Sequence, residues 1–493
     1  MKHWTHLLMK TRLSLEKENM IWNMTGSFFY AFASMVLSFL VLRIAGEEQG
    51  GIFSFGFSTV GQQMFLLAYF GIRPFHITDG ANQYRFGDYL HHRYGTCFLA
   101  LLLGAGYLAV TGYSWQKVQI IFLLIAYKVI DGFADVYESE FQRQGCLYLT
   151  GRSNTFRTIL SVGVFLVTLC SGAGLFAACV AAVLGQIAGV ALFDIVVLKE
   201  LPKVDYNWSG TQARALTASA ILLFVSVFLD FYIFSAAKYA IDAHLGDAAS
   251  GYFNVIFMPT SVINLAAGFV IRPYLTYLTD CWNAHRFSDF SKKLLTIMAV
   301  IGGLTVLAVG GTVVLGKPVL ALLEWLLGAA YSGKLTALWP AFVMIVLGGG
   351  FYAVLNLYYY ALVILRKQKL IFGIYVVLTV LAAVLAPKMT VAFGILGAAA
   401  AYLVLMVIMA AGFVGGAWIE IKREMKEERH DGGCIDPGVQ AGPAVCQTAS
   451  DAEKADGSAR PDHYHEYRKS VLECGRIPGY PRNGSSSSDK KRV

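Results

Sequence analysis

Apolar residues in this chain come in long unbroken runs. They show neither the alternation of a half-buried strand nor the narrow stripe of a soluble helix. Twelve runs stand out, at about 21–44, 50–71, 95–112, 118–138, 155–171, 174–197, 214–237, 250–271, 293–316, 338–365, 370–387 and 391–418. Most reach the roughly 20 residues that cross a bilayer core. Lipid offers no partner to a free backbone group, so each run is predicted to be a helix. The third and fifth are short and hold glycine or polar residues, which leaves their boundaries loosest.

The chain also repeats itself. "IRPFHITDGANQYRFGDY" (72–89) returns as "IRPYLTYLTDCWNAHRFSDF" (271–290), with eight identities. "AGEEQGGIF" (45–53) aligns with "LGDAASGYF" (245–253), and "GLFAACVAA" (174–182) weakly echoes "GILGAAAAY" (394–402). Three landmarks in one order predict two copies of a six-helix unit, over residues 21–205 and 206–429. An even helix count returns each copy to the side it left, so the predicted relation is a pseudo-two-fold along the membrane normal. The fold class is then an all-α polytopic membrane protein of two six-helix bundles. The cleft between such bundles suits alternating access.

Lys and Arg set the orientation. With the N-terminus inside, the N-terminal arm and inner loops hold twenty; the outer side holds six: Arg43, Lys117, Lys238, Lys317, Lys334 and Lys388. Both termini are therefore predicted inside. The arm, residues 1–20, is polar, lacks a small-residue cleavage site and leads into a run too long for a signal-peptide core, which predicts a retained first helix. Its Leu7, Leu8, Met9 and Leu13 fit either a short surface helix or a solvated arm. Residues 430–493 are rich in Gly, Ser, Asp and Pro and are predicted to be a disordered cytoplasmic tail.

Composition agrees. Hydrophobic residues make up 56% and charged residues 15%, with a mean hydropathy of +0.55, against about 25% charged in soluble domains. The net charge of +8 lies in the membrane part and inner loops. It fits an anionic lipid surface, and no nucleic-acid partner is predicted. The eight cysteines include no CxxC, which argues against zinc or a redox pair. His463 and His465 in "HYHE" read as a chance pair, so no metal site is predicted.

Ionisable groups inside spans are expensive and point to function. In the fourth run Lys128, Asp131, Asp135, Glu138 and Gln142 fall within about 80° of helical arc. They are predicted to line a water-filled vestibule; the alternative is a buried Lys128–Asp131 pair that only fastens helices. Asp230 in the seventh run is either a coupling carboxylate or the permanent partner of a cation across the cleft. Lys238 and Asp242 are spaced for a surface ion pair. Gln186, Asp194, Asn264 and Asn356 are weaker candidates, since single amides more often join helices. Arg157 opens the fifth run and is expected to snorkel to the interface. Gly348, Gly349 and Gly350 suggest close packing, and Pro74 and Pro273 suggest helix ends. Arg85/Asp88 and Arg286/Asp289 are spaced i, i+3, and with Arg73 and Arg272 they either bracket an inner gate or cap solvated turns. No catalytic constellation emerges. The longest outer loop, around 317–337, is too short for the folded domain a membrane glycosyltransferase or ligase would need, so the chain is predicted not to be an enzyme.

"FLVLRIAGEEQGGIFSFGFSTVGQQ" and "DFYIFSAAKYAIDAHLGDAASGYFNVIFMPTSVINLAAGFVIRPYLTYL" resemble the Wzx-type oligosaccharide flippases, polysaccharide-export members of the multidrug/oligosaccharidyl-lipid/polysaccharide (MOP) superfamily. The resemblance covers roughly residues 18–420. It implies transport of undecaprenyl-diphosphate-linked oligosaccharide from the inner to the outer leaflet of the bacterial cytoplasmic membrane. Membrane lipids and other polysaccharide-assembly proteins would be its partners. It further implies Lys128, with Arg157, as the diphosphate partner, and Asp230 or Asp131 as the site of H+ or Na+ coupling, with no other cofactor. The family's usual cations in the first two helices are absent from mid-span here. A multidrug extruder of the same superfamily shares the layout and would lean on Asp131, Asp135 and Asp230. A major-facilitator transporter also has six plus six helices, but "DGANQYRFGDY" lacks that family's loop motif. Lipid II flippases, with fourteen helices, are expected to resemble the chain less.

Overall fold

Helix is the form that satisfies every backbone group from within, and it dominates the computed structural model. The described residues are 5, 8–79, 83–202 and 204–431, with side chains to 426. The predicted tail beyond 431 lies outside them, with His463 and His465, as does most of the arm before Leu8, Leu7 included.

The first half begins with α1 (Leu15–Ala45). The next rod joins α2 (Glu47–Phe55), a π-helical turn (Gly56–Val60) and α3 (Gly61–Tyr69). Then come α4 (Arg73–Thr78), α5 (Phe86–Val110), α6 (Trp115–Arg143), α7 (Leu147–Cys170) and α8 (Gly174–Gly189), the last continued by a second π-helical segment (Val190–Ile195) into α9 (Val196–Lys199). The second half holds α10 (Gly210–Leu245), α11 (Asp247–Ile271), α12 (Leu275–Asn283), α13 (Phe287–Leu327), α14 (Trp339–Ile364) and α15 (Gln368–Asp431). Gly394 (φ 61°, ψ −143°) breaks the helical path of α15 between the two apolar runs it contains.

Among the described residues, nine helical stretches are long and apolar enough to cross a membrane. The charged α6 and the interrupted rod 47–69 are not among the nine, and α15 counts once. The two short runs belong to longer helices. Helix α5 starts at Phe86 and α7 at Leu147, because Arg93, Arg152 and Arg157 find partners inside the protein and hydropathy does not register them.

The halves pack alike. Helix α1 lies along α7 as α10 lies along α15; α3 and α5 flank α6 as α11 and α13 flank α14. The aligned glycines adopt the same backbone: Gly46 (φ 86°, ψ 179°) and Gly246 (φ 85°, ψ −179°) each end a helix in a conformation open in practice to glycine alone. Five residues on, Gly51 and Gly251 face each other across the seam where α2 meets α11. A Cβ at Gly51 would overlap the Asp247 carbonyl, and one at Gly251 would sit 3.3 Å from the Gly51 Cα.

The repeated motif is a folding device in both copies. Pro74 opens a short helix, since proline lacks only an N–H that the first turn leaves unpaired anyway, whereas Pro273 follows the end of α11 at Ile271, as a helix terminator would, and sits in the short turn that leads into α12. Phe86 and Phe287 follow as buried first residues of α5 and α13. The Arg85 backbone N–H donates to Asp88 Oδ2 (3.0 Å), and the backbone N–H of Ser209, in the linker between halves, donates to Asp88 Oδ1 (2.7 Å). The cores exchange members. Leu42 of α1 is buried in the second half's cluster, while Leu216 and Ala220 of α10 are buried in the first half's.

Candidate functional site

The polar groups inside the first half form one ion-pair network. The Arg157 guanidinium, 2% exposed, donates to Asp131 (3.0 Å), Glu138 (2.8 Å) and Asp194 (2.9 Å). Asp194 is presented by the π-helical segment after α8 and also accepts from Ser153 Oγ (2.5 Å). Asp131 accepts further bonds from Gln186 (3.2 Å) and the Tyr30 hydroxyl (2.6 Å). Arg73 reaches from α4 to Asp135 (2.7 Å), Glu138 (3.5 Å) and Gln142 (3.1 Å); Arg93 bonds Asp135 (2.9 Å) and the Ala68 carbonyl (2.7 Å). Beside it His76 bonds Glu140 (2.8 Å) and stacks on Tyr89. A buried charge is tolerable when it is paired and its remaining donors and acceptors are met, and this network ties α1, α4, α5, α7 and α8 to α6.

The predicted vestibule stripe is therefore corrected. Lys128, Asp131, Asp135 and Glu138 are all buried, and the partners that bury the acids come from other helices, which spacing along α6 alone cannot reveal. Arg157 does not snorkel; three carboxylates hold it. Lys128 differs from the rest. Its ammonium donates to Tyr30 Oη (3.1 Å) and lies 4.1 Å from the Phe57 ring centre in the first π turn, with no carboxylate within ion-pair distance among the described residues.

Between the halves, one end of the molecule is clasped shut. Lys117, at the start of α6, pairs with Asp242 (2.7 Å) and Asp247 (2.6 Å) of the second half, and Tyr113 donates to Asp242 (2.5 Å). Glu47 takes bonds from Tyr252 and Lys334, Arg43 bonds the Leu327 carbonyl (2.5 Å), and Tyr331 bonds that of Leu42 (2.6 Å). The expected Lys238–Asp242 surface pair does not form, because Lys117 takes the carboxylate. Lys238 instead donates to Asn254 (3.2 Å), which also accepts from Ser58 across the seam (2.8 Å).

Asp230 faces no cation. Tyr352 donates to its Oδ2 (2.7 Å), while its buried Oδ1 has no partner. Asn356 bonds Asn264 (2.8 Å), and Asn264 stays exposed in the middle of an apolar helix. An amide there would face lipid at a cost, so its placement fits a wet cleft. Of the proposed gate groups, Arg73 is drawn into the network and Arg272 is exposed; Arg85 pairs with Asp205 (3.4 Å) instead of Asp88, and Arg286 and Asp289 pair at 3.8 Å on the surface. The solvated-turn alternative fits these pairs better than a gate. Gly348 and Gly350 pack against Tyr402 and Thr305, as close packing requires. Among the described residues no three His, Cys, Asp or Glu side chains converge as metal ligands would.

This is the architecture of a multi-pass helical membrane protein. No protein-family model and no curated protein matches the chain. Solved structures do. The lipid II flippase MurJ in an inward closed conformation superposes with a TM-score of 0.63 at 10% identity, covering 83% of this chain and 91% of that one. An inward-facing multidrug resistance MATE family transporter of the MOP superfamily gives 0.57 at 12%, covering 81% and 95%. The eukaryotic MATE transporter AtDTX14 gives 0.54 at 13%, covering 84% and 99%. The chain has the fold of the MOP-superfamily transporters, and these relatives are transporters and flippases, not enzymes. MurJ scores above both MATE proteins, against the expectation that helix count would set it apart; superposition weighs the shared frame, which extends over nine-tenths of that chain.

Proposed function

We propose that this chain is a flippase for polyprenyl-diphosphate-linked oligosaccharide in a bacterial cytoplasmic membrane, serving the assembly of a cell-surface polysaccharide alongside other assembly proteins. In this reading the chain crosses twelve times with both termini inside, and the halves are related by a pseudo-two-fold along the membrane normal. The clasped end then faces outward, and rocking the halves about the seam alternates access. The observation that carries the reading is a pair of buried ammonium groups. Neither Lys128, set against Tyr30 and Phe57, nor Lys238, set against Asn254 at the seam, has a carboxylate within ion-pair distance among the described residues. Two such cations suit an anionic head group.

Lys128 is the diphosphate partner in this scheme, and Arg157 holds the network around it. Asn264 and Asn356 offer neutral hydrogen bonds to sugar. Coupling by H+ or Na+ falls to Asp230 more readily than to Asp131, whose oxygens are already engaged. That the Asp230 carboxyl meets a phenol and no cation is also what favours the second reading, a cation-coupled multidrug extruder. Reconstituted vesicles separate the two. Lys128→Ala should lower flipping of a lipid-diphosphate oligosaccharide by tenfold or more with normal insertion; full activity in that variant, or export of cationic dyes by the wild type instead, would reject the flippase.

A further inference from the structure

The second copy of the repeated motif keeps its cation without the acids that hold the first. In the first half Arg73 turns inward to the carboxylates of α6, and His76 beside it is buried on Glu140. The matching arginine, Arg272, finds nothing comparable, because α14, the counterpart of α6, carries no Asp or Glu. Arg272 is exposed, and among the described residues no carboxylate lies within ion-pair distance of it or of Lys293. Its side chain turns back along α11, with Nε over Gly268. Val262, Leu265 and Phe269 stand exposed at helical spacing on α11, and Arg272 continues their face. Lys293, half-buried near the start of α13, holds its ammonium 4.0 Å from the Tyr274 ring centre and 5.9 Å from that of Tyr277.

The helix between these cations has the make-up of an interfacial segment. Leu278 and Cys281 of α12 are buried, and Trp282 packs on Phe287 and Phe290 with ring centres 4.8 and 5.3 Å away. Thr276, Asp280 and Asn283 are exposed on another side, while Tyr274 and Tyr277 are exposed on the flank that meets Lys293. Tyrosine and tryptophan gather where bilayer meets water, and a ring face attracts a cation there. An apolar stripe that ends in an arginine, beside a lysine set on tyrosines, matches a molecule with an acyl chain and an anionic phosphate. We propose that this rim of the second half binds an anionic phospholipid. Its phosphate lies between Arg272 and Lys293, and a chain follows Val262, Leu265 and Phe269. A free phosphate would use the cations and leave the stripe idle. The first half offers no equivalent, since Arg73 is already engaged, so the lipid holds one half and leaves the other unattached. Its place in the inner leaflet rests on the orientation proposed above; binding of the lipid does not.

Native mass spectrometry of the full-length protein in detergent, titrated with phosphatidylglycerol and separately with phosphatidylcholine, tests this. The first phosphatidylglycerol should bind about tenfold more tightly than phosphatidylcholine, as two cations near a lipid phosphate allow. That preference should vanish in Arg272→Gln/Lys293→Gln, weaken in Tyr274→Ala/Tyr277→Ala and persist in Lys293→Arg. Arg366→Gln/Lys369→Gln removes the same charge from another exposed turn, between α14 and α15, and should leave the preference unchanged. An equal loss in that control would make the attraction diffuse, and equal binding of the two lipids would remove it; either overturns the proposal. Displacement by inorganic phosphate at matching concentration, or tighter binding of undecaprenyl diphosphate to the same residues, would give the site to another occupant and overturn it as well. If the double charge variant misfolds, Arg272→Gln alone and the tyrosine pair decide. Failure of all flipping by the wild type, with the phosphatidylglycerol preference intact, would sink the flippase reading and leave the lipid site standing.

Discussion

The two halves share a frame and fill it with opposite chemistry. Behind α6 the first half buries Asp131, Asp135, Glu138 and Asp194 against Arg73, Arg93 and Arg157. The corresponding interior of the second half is aromatic: Phe234, Phe257, Tyr352 and Tyr402 pack together, and Asp230 meets a phenol where its counterparts meet guanidinium. Helices keep the same neighbours in the two halves, and each half solves burial in its own way. An ionic interior is rigid, because removing one partner strands the others. An aromatic interior tolerates change, and there a lone carboxylate can alter its protonation without undoing the packing. The first half is thus the more rigidly tied of the two, and in the proposed scheme the second is the moving part.

The largest expected effect comes from breaking the ionic side. Arg157→Ala leaves Asp131, Glu138 and Asp194 uncompensated, at about 3–5 kcal/mol for a broken buried pair. Thermal unfolding in detergent should show a steep loss, with Arg157→Lys only partly restoring stability; a wild-type melting profile would mean that the network is not structural. A smaller effect is expected on the aromatic side. Asp230→Asn keeps an acceptor for Tyr352 and should change stability by only about 1 kcal/mol, yet remove the dependence of transport on a proton or sodium gradient. Retained gradient dependence would take coupling away from this carboxylate.

The smallest effect concerns the clasp that joins the halves. Burial would raise the Glu47 carboxyl above its ordinary value of 4.5, but hydrogen bonds from Lys334 and Tyr252 outweigh it and hold the group below that value. The ionised form therefore favours the clasped state above the ordinary carboxylate range, and this contribution is lost as pH falls through the lowered value. An impermeant thiol reagent should label a cysteine substituted at Ser54 at a rate that is flat near neutrality and rises in acid. Glu47→Gln should flatten the acid rise; an identical rise in that variant would take the acid opening away from Glu47.

Much of this frame was legible in the chain. The repeat at 45–53 and 245–253 foretold the two glycines that now face each other, and each apolar run lies in a helix. Partners were harder to see. Nothing in the sequence joins Arg73 or Arg93 to Asp135, or Lys117 to Asp242, because those pairs bring together distant helices. Arg93 did give a signal, as a lone cation just ahead of a predicted span, but the hydropathy window set it outside. Lys238 was misread for the same reason: a neighbour at i+4 looked sufficient until Lys117 arrived from the other half.

The wide turn at Gly56–Val60 has a further consequence. An ordinary helix advances about 100° per residue, so shortening that turn by a single residue would swing everything beyond it by about that angle. Phe57 and Ser58 would then no longer address Lys128 behind them and Asn254 ahead of them at once. The loosened winding acts as a phase adjuster that lets one rod meet two separate partners.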